Sequence, residues 1–545
     1  MKLLRVHVIS AETCGGLLDG LDLWLRSPNN EYSLFDPLCL IGPNGAGKSQ
    51  FLQVVTEIFQ SVFHSTIRIE ERIEGNPDLQ FEMEYLIRPK GAKSDVHVRV
   101  ARIAEGKRKP SVVIQKHEGN DWIDCKLATT ETWALLPRKI VGYTSGGNET
   151  LSLPFLLSRS GYATEVGERA LKEVGVDDQV VPDTRLMLID YSTHLEVLVA
   201  NLLLASKDQR IALLEDARVD GLHSFRCVVQ LAHSAVPKVP ARLKGVSLRK
   251  GIQLTAELEK YIAQLGRCAT CYHYDEKTET YTFDFFVDPQ TMKAFHFYWD
   301  KALDLYTALH KLAMLNDLAI PKATRERFKR DTKARRFASR LPEPQDEDKV
   351  FRFERVNFRA HAGSSVVDYV SLSDGEHQLA QLLGTFCMIS FPDVLFLLDE
   401  PESHFNPQWR VKLISKLLDF PTEHGLRRNA SVVSRQDCLL TTHAPFVPSD
   451  MAREKVFIFG KDDETGKVVV RRPDLETFGT TFDAILDECF GVRPPISEEP
   501  RKEIKDLMES KDLGTIKAGM GRLGNSVEKV LLGDRVRQLL KEEGK

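Results

Sequence analysis

The chain has 545 residues, 42% hydrophobic and 28% charged, a composition that supports a large buried core and excludes a disordered chain. A formal net charge of −4 excludes a global basic bias toward nucleic acid, so any such contact must come from a local patch. No run of about 18 apolar residues occurs, which argues against a membrane-spanning helix, and nine scattered cysteines suit a reducing cytoplasm rather than a disulfide framework.

The N-terminal stretch lacks the apolar core of a signal peptide and reads as a first strand, Leu3 to Ile9, with a second from Leu21 to Leu25. Tyr32 and Phe35 follow; each is read either as an adenine-stacking ring or as an ordinary packed aromatic. The apolar run Leu38 to Ile41 predicts a strand buried on both faces. It leads into Gly42-Pro43-Asn44-Gly45-Ala46-Gly47-Lys48-Ser49-Gln50, which matches G-x-x-x-x-G-K-[ST]. Apolar residues at helical spacing follow, through Phe51, Leu52, Val55, Ile58, Phe59 and Val62. Strand, glycine-rich loop and helix are the context in which backbone N–H groups and a helix N-terminus cradle phosphates. Lys48 would then reach the β- and γ-phosphates, and Ser49 would ligate Mg²⁺.

Alternating patterns such as Leu79 to Tyr85 and Val96 to Arg102 predict antiparallel strands. A further strand, Lys139 to Tyr143, opens into the polar loop Thr144 to Glu149, where Asn148 and Glu149 are read either as sensors of metal or attacking water or as a surface turn. Residues 155–345 are expected to form a largely helical insertion, with helices over Tyr162 to Val174, Leu195 to Leu214, Ala256 to Leu265 and Met292 to Leu318, and an aromatic hairpin between Thr270 and Phe286. Cys268 and Cys271 form a C-x-x-C without a second ligand pair nearby, read as structural thiols or a zinc half-site. The insertion ends in a basic stretch holding Lys329, Arg330, Lys333, Arg335, Arg336 and Arg340, with Phe328 and Phe337 interleaved. Such a stretch can contact phosphates and stack bases, dock an acidic protein, or be a solvated helix face.

Ser373, Gly375 and Glu376 open a strong helical pattern, a second anion-binding helix start. Val394 to Leu398 is an apolar strand ending in Asp399 and Glu400, one suited to Mg²⁺ and the other, on the opposite side of the pleat, to a base that polarises water. Cys438 to Thr442 is a strand that delivers His443 to the same region. After it, Asp462 to Gly466 reads as a hairpin turn and residues 475–545 as helices.

The order of phosphate loop, Ser-x-Gly-Glu, Asp-Glu and His resembles the ABC-type ATPase heads of the SMC, RecF and overcoming-lysogenization-defect group, over residues 1–60 and about 351–460. The resemblance implies an α/β fold: a two-lobed ABC-type head with mixed sheets, a helical insertion and a helical C-terminus. It divides the chain as 1–154, 155–345, 346–460 and 461–545. It implies ATP and Mg²⁺ as cofactors and a head-to-tail homodimer in which Ser373 and Gly375 meet the nucleotide of the partner copy, with Glu400 as base and His443 as switch. Where related heads have Leu-His after the loop histidine, this chain has Phe405-Asn406.

After His443 there is no D-x-D on a strand end and no H-N-H arrangement, so a nuclease would be a partner. The compact insertion, Gly142 to Glu149, and Glu476-Thr477-Phe478-Gly479 resemble the PtuA family of Septu antiviral systems, also found with retrons. That resemblance implies a cytoplasmic ATPase controlling an HNH nuclease of the PtuB kind and, in retron loci, contact with a reverse transcriptase and its RNA–DNA product. The alternative is a DNA-repair ATPase of the RecF/SMC kind.

Overall fold

In the computed structural model, the backbone is described for all residues except 13–14, 31, 33, 105, 107–109, 147–148, 173–179, 218, 234–248, 250, 334–343, 362–364 and 543–545. The side chains of 149, 171–172, 329 and 332–333 are also left undescribed. The fold is mixed α/β, with three large sheets and a C-terminal helical region. Among the described residues no helix is long and apolar enough to cross a membrane.

The central sheet has seven strands. Their order is Val468–Arg471, Val456–Lys461, Leu38–Ile41, Asp437–Thr442, Val394–Asp399, Lys139–Thr144 and Leu186–Ile189. All neighbours run parallel except the first pair. A parallel sheet is covered on both faces, which is why Leu38–Ile41, Val394–Asp399 and Asp437–Thr442 are buried at every position, the first two almost wholly apolar and the third apolar at Cys438, Leu439 and Leu440.

Their pleat divides the side chains cleanly. Leu38, Leu40, Leu395, Leu397 and Leu439 face the helix Lys48–Thr66, which lies between this sheet and a six-stranded antiparallel sheet. Cys39, Ile41, Phe396, Leu398, Cys438 and Leu440 face the other way, toward the helix Asp374–Met388 and the insertion. Because it packs on both sides, Lys48–Thr66 buries most of its circumference, polar Gln53, Thr56 and Gln60 included. The antiparallel sheet is built from Lys2–Ser10, Leu21–Trp24, Gln80–Ile87, Val96–Arg102, Val113–Glu118 and Asp121–Asp124, the first four of which match the predicted strands.

The insertion is less helical than its periodicity suggests. The hairpin Cys271–Asp275 and Thr280–Phe286 extends a five-stranded antiparallel sheet through Val219–Gln230, Phe351–Ala360 and Val366–Asp368. That sheet takes strands from both sides of the 345/346 division, and the helix Glu149–Lys172 runs across the 154/155 division. Leu186–Ile189, inside the insertion in sequence, joins the central sheet beside Lys139–Thr144.

The predicted helix Leu195 to Leu214 is two helices, His194–Leu204 and Lys207–Leu214, because Ser206 caps the second with its hydroxyl. Met292 to Leu318 is split among Pro289–Tyr298, Ala302–Met314 and Asn316–Ala319. At the C-terminus, Glu498–Glu509, Leu513–Arg522 and Val527–Glu542 enclose a small core of their own around Ile504, Leu507, Ile516, Leu532, Val536 and Leu539.

Candidate functional site

The glycine-rich loop leaves the C-terminal end of Leu38–Ile41, an interior strand of the central sheet, and enters Lys48–Thr66. Gly42 has φ 146°, and a Cβ there would lie 2.1 Å from the carbonyl oxygen of Phe459. Gly47, at φ 90°, precedes the helix in the left-handed region, and its Cβ would meet Val468 at 2.6 Å. Two of the motif's glycines are therefore demanded by the neighbouring strands Val456–Lys461 and Val468–Arg471. Gly45 is also left-handed, but a Cβ there would meet only the flexible end of Lys461, at 3.8 Å. Asn44 is exposed and Ala46 buried. Gln50 lies on the first turn of the helix, partly buried.

Lys48 folds back over the loop, its Nζ donating to the carbonyls of Gly42 at 2.8 Å and Pro43 at 3.1 Å. Burial lowers its pKa to about 8, opposed by Glu400 and Asp399. Ser49 Oγ donates to Asp399 Oδ1 at 2.9 Å. Asp399 is 2% exposed; burial pushes its carboxyl above the usual range, against hydrogen bonds from Thr441 and Ser49. Thr441 lies opposite Asp399 in the parallel register. Its hydroxyl donates to Asp399 Oδ1 at 2.6 Å and accepts from the Glu400 amide at 3.0 Å.

Glu400 does not continue the pleat onto the opposite face, contrary to the expectation from alternation. It takes φ 48°, a left-handed conformation that costs a non-glycine residue energy and is held by its neighbours. This turn swings its carboxylate to His443, whose Nε2 lies 2.9 Å from Glu400 Oε1. That hydrogen bond, the largest cause, holds Glu400 below the usual carboxylate range. His443 Nδ1 is 3.4 Å from Lys48 Nζ. A lysine ammonium only donates, so Nδ1 accepts and the ring proton sits on Nε2, aimed at Glu400.

Ser49 and Asp399 present two hard oxygen ligands side by side, the chemistry that suits Mg²⁺ held together with water and phosphate oxygens. Among the described residues no group of three or more His, Cys, Asp or Glu side chains is placed to hold a metal unaided.

Ser373 caps the helix Asp374–Met388 in a reciprocal capping box with Glu376 and is exposed. Gly375 is buried, and a Cβ there would lie 2.9 Å from the His404 carbonyl and 3.2 Å from the Trp409 ring. The glycine thus has a packing reason inside this chain: the helix start abuts the loop that follows Glu400.

Sequence reasoning missed the joints around these residues. Gln378 on the same helix donates to the Ser145 carbonyl. Ser145 Oγ in turn accepts from Ser403 Oγ at 2.6 Å. Thr442 donates to Glu402, which is 3% exposed. The consecutive threonines before His443 and the second glutamate of Glu400-Pro401-Glu402 were the available signal.

Other candidates fall differently. Phe35 is packed against Phe386 at 6.0 Å under Arg427, so it is a core residue and not an adenine platform. Tyr32 stays on the loop, bonded to the Ser27 carbonyl at 2.7 Å. Cys268 is buried and Cys271 exposed.

In the basic stretch, Lys322–Lys333 is a helix on which Phe328 is buried, so that ring cannot stack a base. Arg325 is also buried, bonded to the Ile320 carbonyl at 3.2 Å. Arg330 is exposed. The side chains of Lys329 and Lys333, and Arg335, Arg336, Phe337 and Arg340 entirely, lie outside the described residues, as do Asn148 and the side chain of Glu149.

No protein-family model matches this chain.

Proposed function

We propose that the chain is a P-loop ATPase of the ABC type, a two-lobed head that binds ATP with Mg²⁺ on residues 42–50 and hydrolyses it. The observation that carries this reading is the convergence of Ser49 on Asp399 and of His443 on Glu400, at the ends of three neighbouring parallel strands. Backbone N–H groups of the loop and the N-terminus of Lys48–Thr66 hold the phosphates, and Lys48 neutralises them. Ser49 and Asp399 would hold Mg²⁺, which supplies charge neutralisation at the β- and γ-phosphates. Glu400, kept anionic by the Nε2–H of His443, accepts the proton of the attacking water. Exposed Ser373 is free to face a second copy, completing its site in a head-to-tail dimer.

Within that class we assign the chain to the PtuA family of Septu systems: a cytoplasmic regulatory ATPase controlling a PtuB-like HNH nuclease. In a retron setting it would also meet a reverse transcriptase and its RNA–DNA product. The support is the resemblance of Gly142 to Glu149 and Glu476 to Gly479 and the compact insertion. The basic stretch 322–340 is the proposed nucleic-acid contact. Two measurements test this. Purified protein should hydrolyse ATP in a Mg²⁺-dependent manner; its failure to do so overturns the ATPase reading. Expression with the neighbouring genes should co-purify an HNH nuclease; a repair partner on duplex DNA instead would favour the RecF/SMC alternative.

A further inference from the structure

Two consecutive threonines of the central sheet each meet a carboxylate, one on each face: Asp399 at the end of its own strand and Glu402 in the turn that follows it. Asp399 and Thr441 share the face toward Lys48–Thr66. Thr442 points to the opposite face, where it donates to Glu402 Oε1. The same Thr442 hydroxyl accepts from the Ala444 amide at 2.9 Å. A continuous path therefore runs from Ala444 N–H through Thr442 Oγ1 to Glu402, and it spans the peptide units on both sides of His443.

Glu402 is anchored at its other end. The Ser403 amide donates to the Glu400 carbonyl at 3.1 Å and the Phe405 amide to the Glu402 carbonyl at 3.0 Å, so the turn bearing Glu402 is the turn bearing Glu400. Among the described residues, Glu402 Oε2 is buried without a hydrogen-bond partner. A buried carboxyl with one orphan oxygen is a poor choice for stability alone. Its surroundings include Cys39 and Tyr143, whose ionisation its charge disfavours, and Arg410 lies on its favourable side. Burial raises Glu402 to about 7.

We infer that Glu402 is a positioning residue of the hydrolytic site: through the Thr442 hydroxyl it locks the turn carrying His443 to the turn carrying Glu400, and so sets the Glu400–His443 hydrogen bond. The inference rests on the ATPase reading above. It is separate from the base and switch roles, because Glu402 lies on the far face of the sheet from Asp399.

The test is ATP turnover against ATP concentration for Glu402→Ala, Glu402→Gln, Thr442→Val, Thr442→Ser, His443→Ala and the double variant Glu402→Ala/His443→Ala. Glutamine keeps the acceptor oxygen and serine keeps the hydroxyl. Glu402→Ala and Thr442→Val should lose about tenfold to a hundredfold in kcat, as outer-shell orienting groups do, with KM for ATP little changed. Glu402→Gln and Thr442→Ser should restore most of that loss. In the His443→Ala background, Glu402→Ala should cost nothing further, because the group it positions is gone. Unchanged turnover in Glu402→Ala, an additive double variant, or failure of glutamine and serine to rescue while the variants still bind ATP each overturns the role of Glu402. A wild-type chain without Mg²⁺-dependent turnover overturns the ATPase reading itself. If Glu402→Ala does not fold, the Thr442 pair and Glu402→Gln carry the same decision.

Discussion

Ser49 Oγ donates to Asp399 Oδ1 at 2.9 Å across 350 positions of sequence. The two are brought together because Leu38–Ile41 and Val394–Asp399 are separated in the sheet only by Asp437–Thr442. Thr441, on that intervening strand, fastens the carboxylate from the side. If this pair holds Mg²⁺, Asp399→Asn should lower ATP turnover by about two orders of magnitude or more and abolish the tightening of ATP binding by Mg²⁺. Calorimetry with and without Mg²⁺ checks it. Equal Mg²⁺ dependence in wild type and variant would remove Asp399 from the metal site.

Glu400 owes its position to a left-handed backbone and to His443, not to strand alternation. Glu400→Gln keeps the shape and removes the proposed proton acceptor. ATP binding should persist while kcat falls about a hundredfold to ten-thousandfold, the range for loss of a general base. Single-turnover hydrolysis alongside nucleotide-binding measurements separates the two. Normal turnover in this variant would refute the base assignment.

Gly42 and Gly45 give a contrast within one loop. A Cβ at Gly42 would sit 2.1 Å from a backbone oxygen on Val456–Lys461, which cannot move without disturbing the sheet, whereas at Gly45 the nearest atom is the flexible end of Lys461 at 3.8 Å. Both have positive φ, so both alanine variants carry backbone strain of about 1–2 kcal/mol. Gly42→Ala adds a steric clash and should cost several kcal/mol in total, on the scale of overpacking plus strain. Thermal melts should show a clearly larger fall in Tm for Gly42→Ala than for Gly45→Ala; equal falls would mean the loop shifts freely away from Phe459.

The sequence made the central strands and the loop between Leu38–Ile41 and Lys48–Thr66 legible because a parallel strand buried on both faces is a continuous apolar run and the G-x-x-x-x-G-K-[ST] motif has fixed spacing. It hid Leu186–Ile189, a four-residue strand set between polar Asp183, Thr184 and Arg185 and polar Asp190, and the sheet of the insertion. In Val219–Gln230, Gly221, His223, Ser224 and Arg226 interrupt the apolar pattern because that strand has a partly open face. At the site, residue types and order were readable, while the joints were not. Thr441, Thr442, Ser145 and Ser403 are small hydroxyl residues whose importance comes from where the sheet register places them. The turn at Glu400 likewise depends on tertiary contacts that no local pattern encodes.

Glu71 offers a pH test away from the strand ends. It is fully buried, accepting from Ser158 Oγ at 2.5 Å, Thr184 Oγ1 at 3.1 Å and the Ile73 amide at 3.0 Å, and it ties Glu149–Lys172 to the entry of the strand Leu186–Ile189. Burial raises its carboxyl to about 7, with those hydrogen bonds opposing. A raised folded pKa means the native chain holds the proton that the unfolded chain releases above the ordinary glutamate value. Its contribution to stability is therefore fully present below about 4.5 and is lost as pH rises toward about 7. Glu402 and Glu196 are raised for the same reason, so the wild-type slope alone does not isolate Glu71. The comparison with Glu71→Gln does, since glutamine cannot release a proton. Urea unfolding at pH 5 and pH 8 should show the variant gaining on wild type by up to about 3 kcal/mol between the two conditions. A constant difference at both pH values would mean that Glu71 is ionised in the folded chain throughout and that its three donors outweigh the cost of burial.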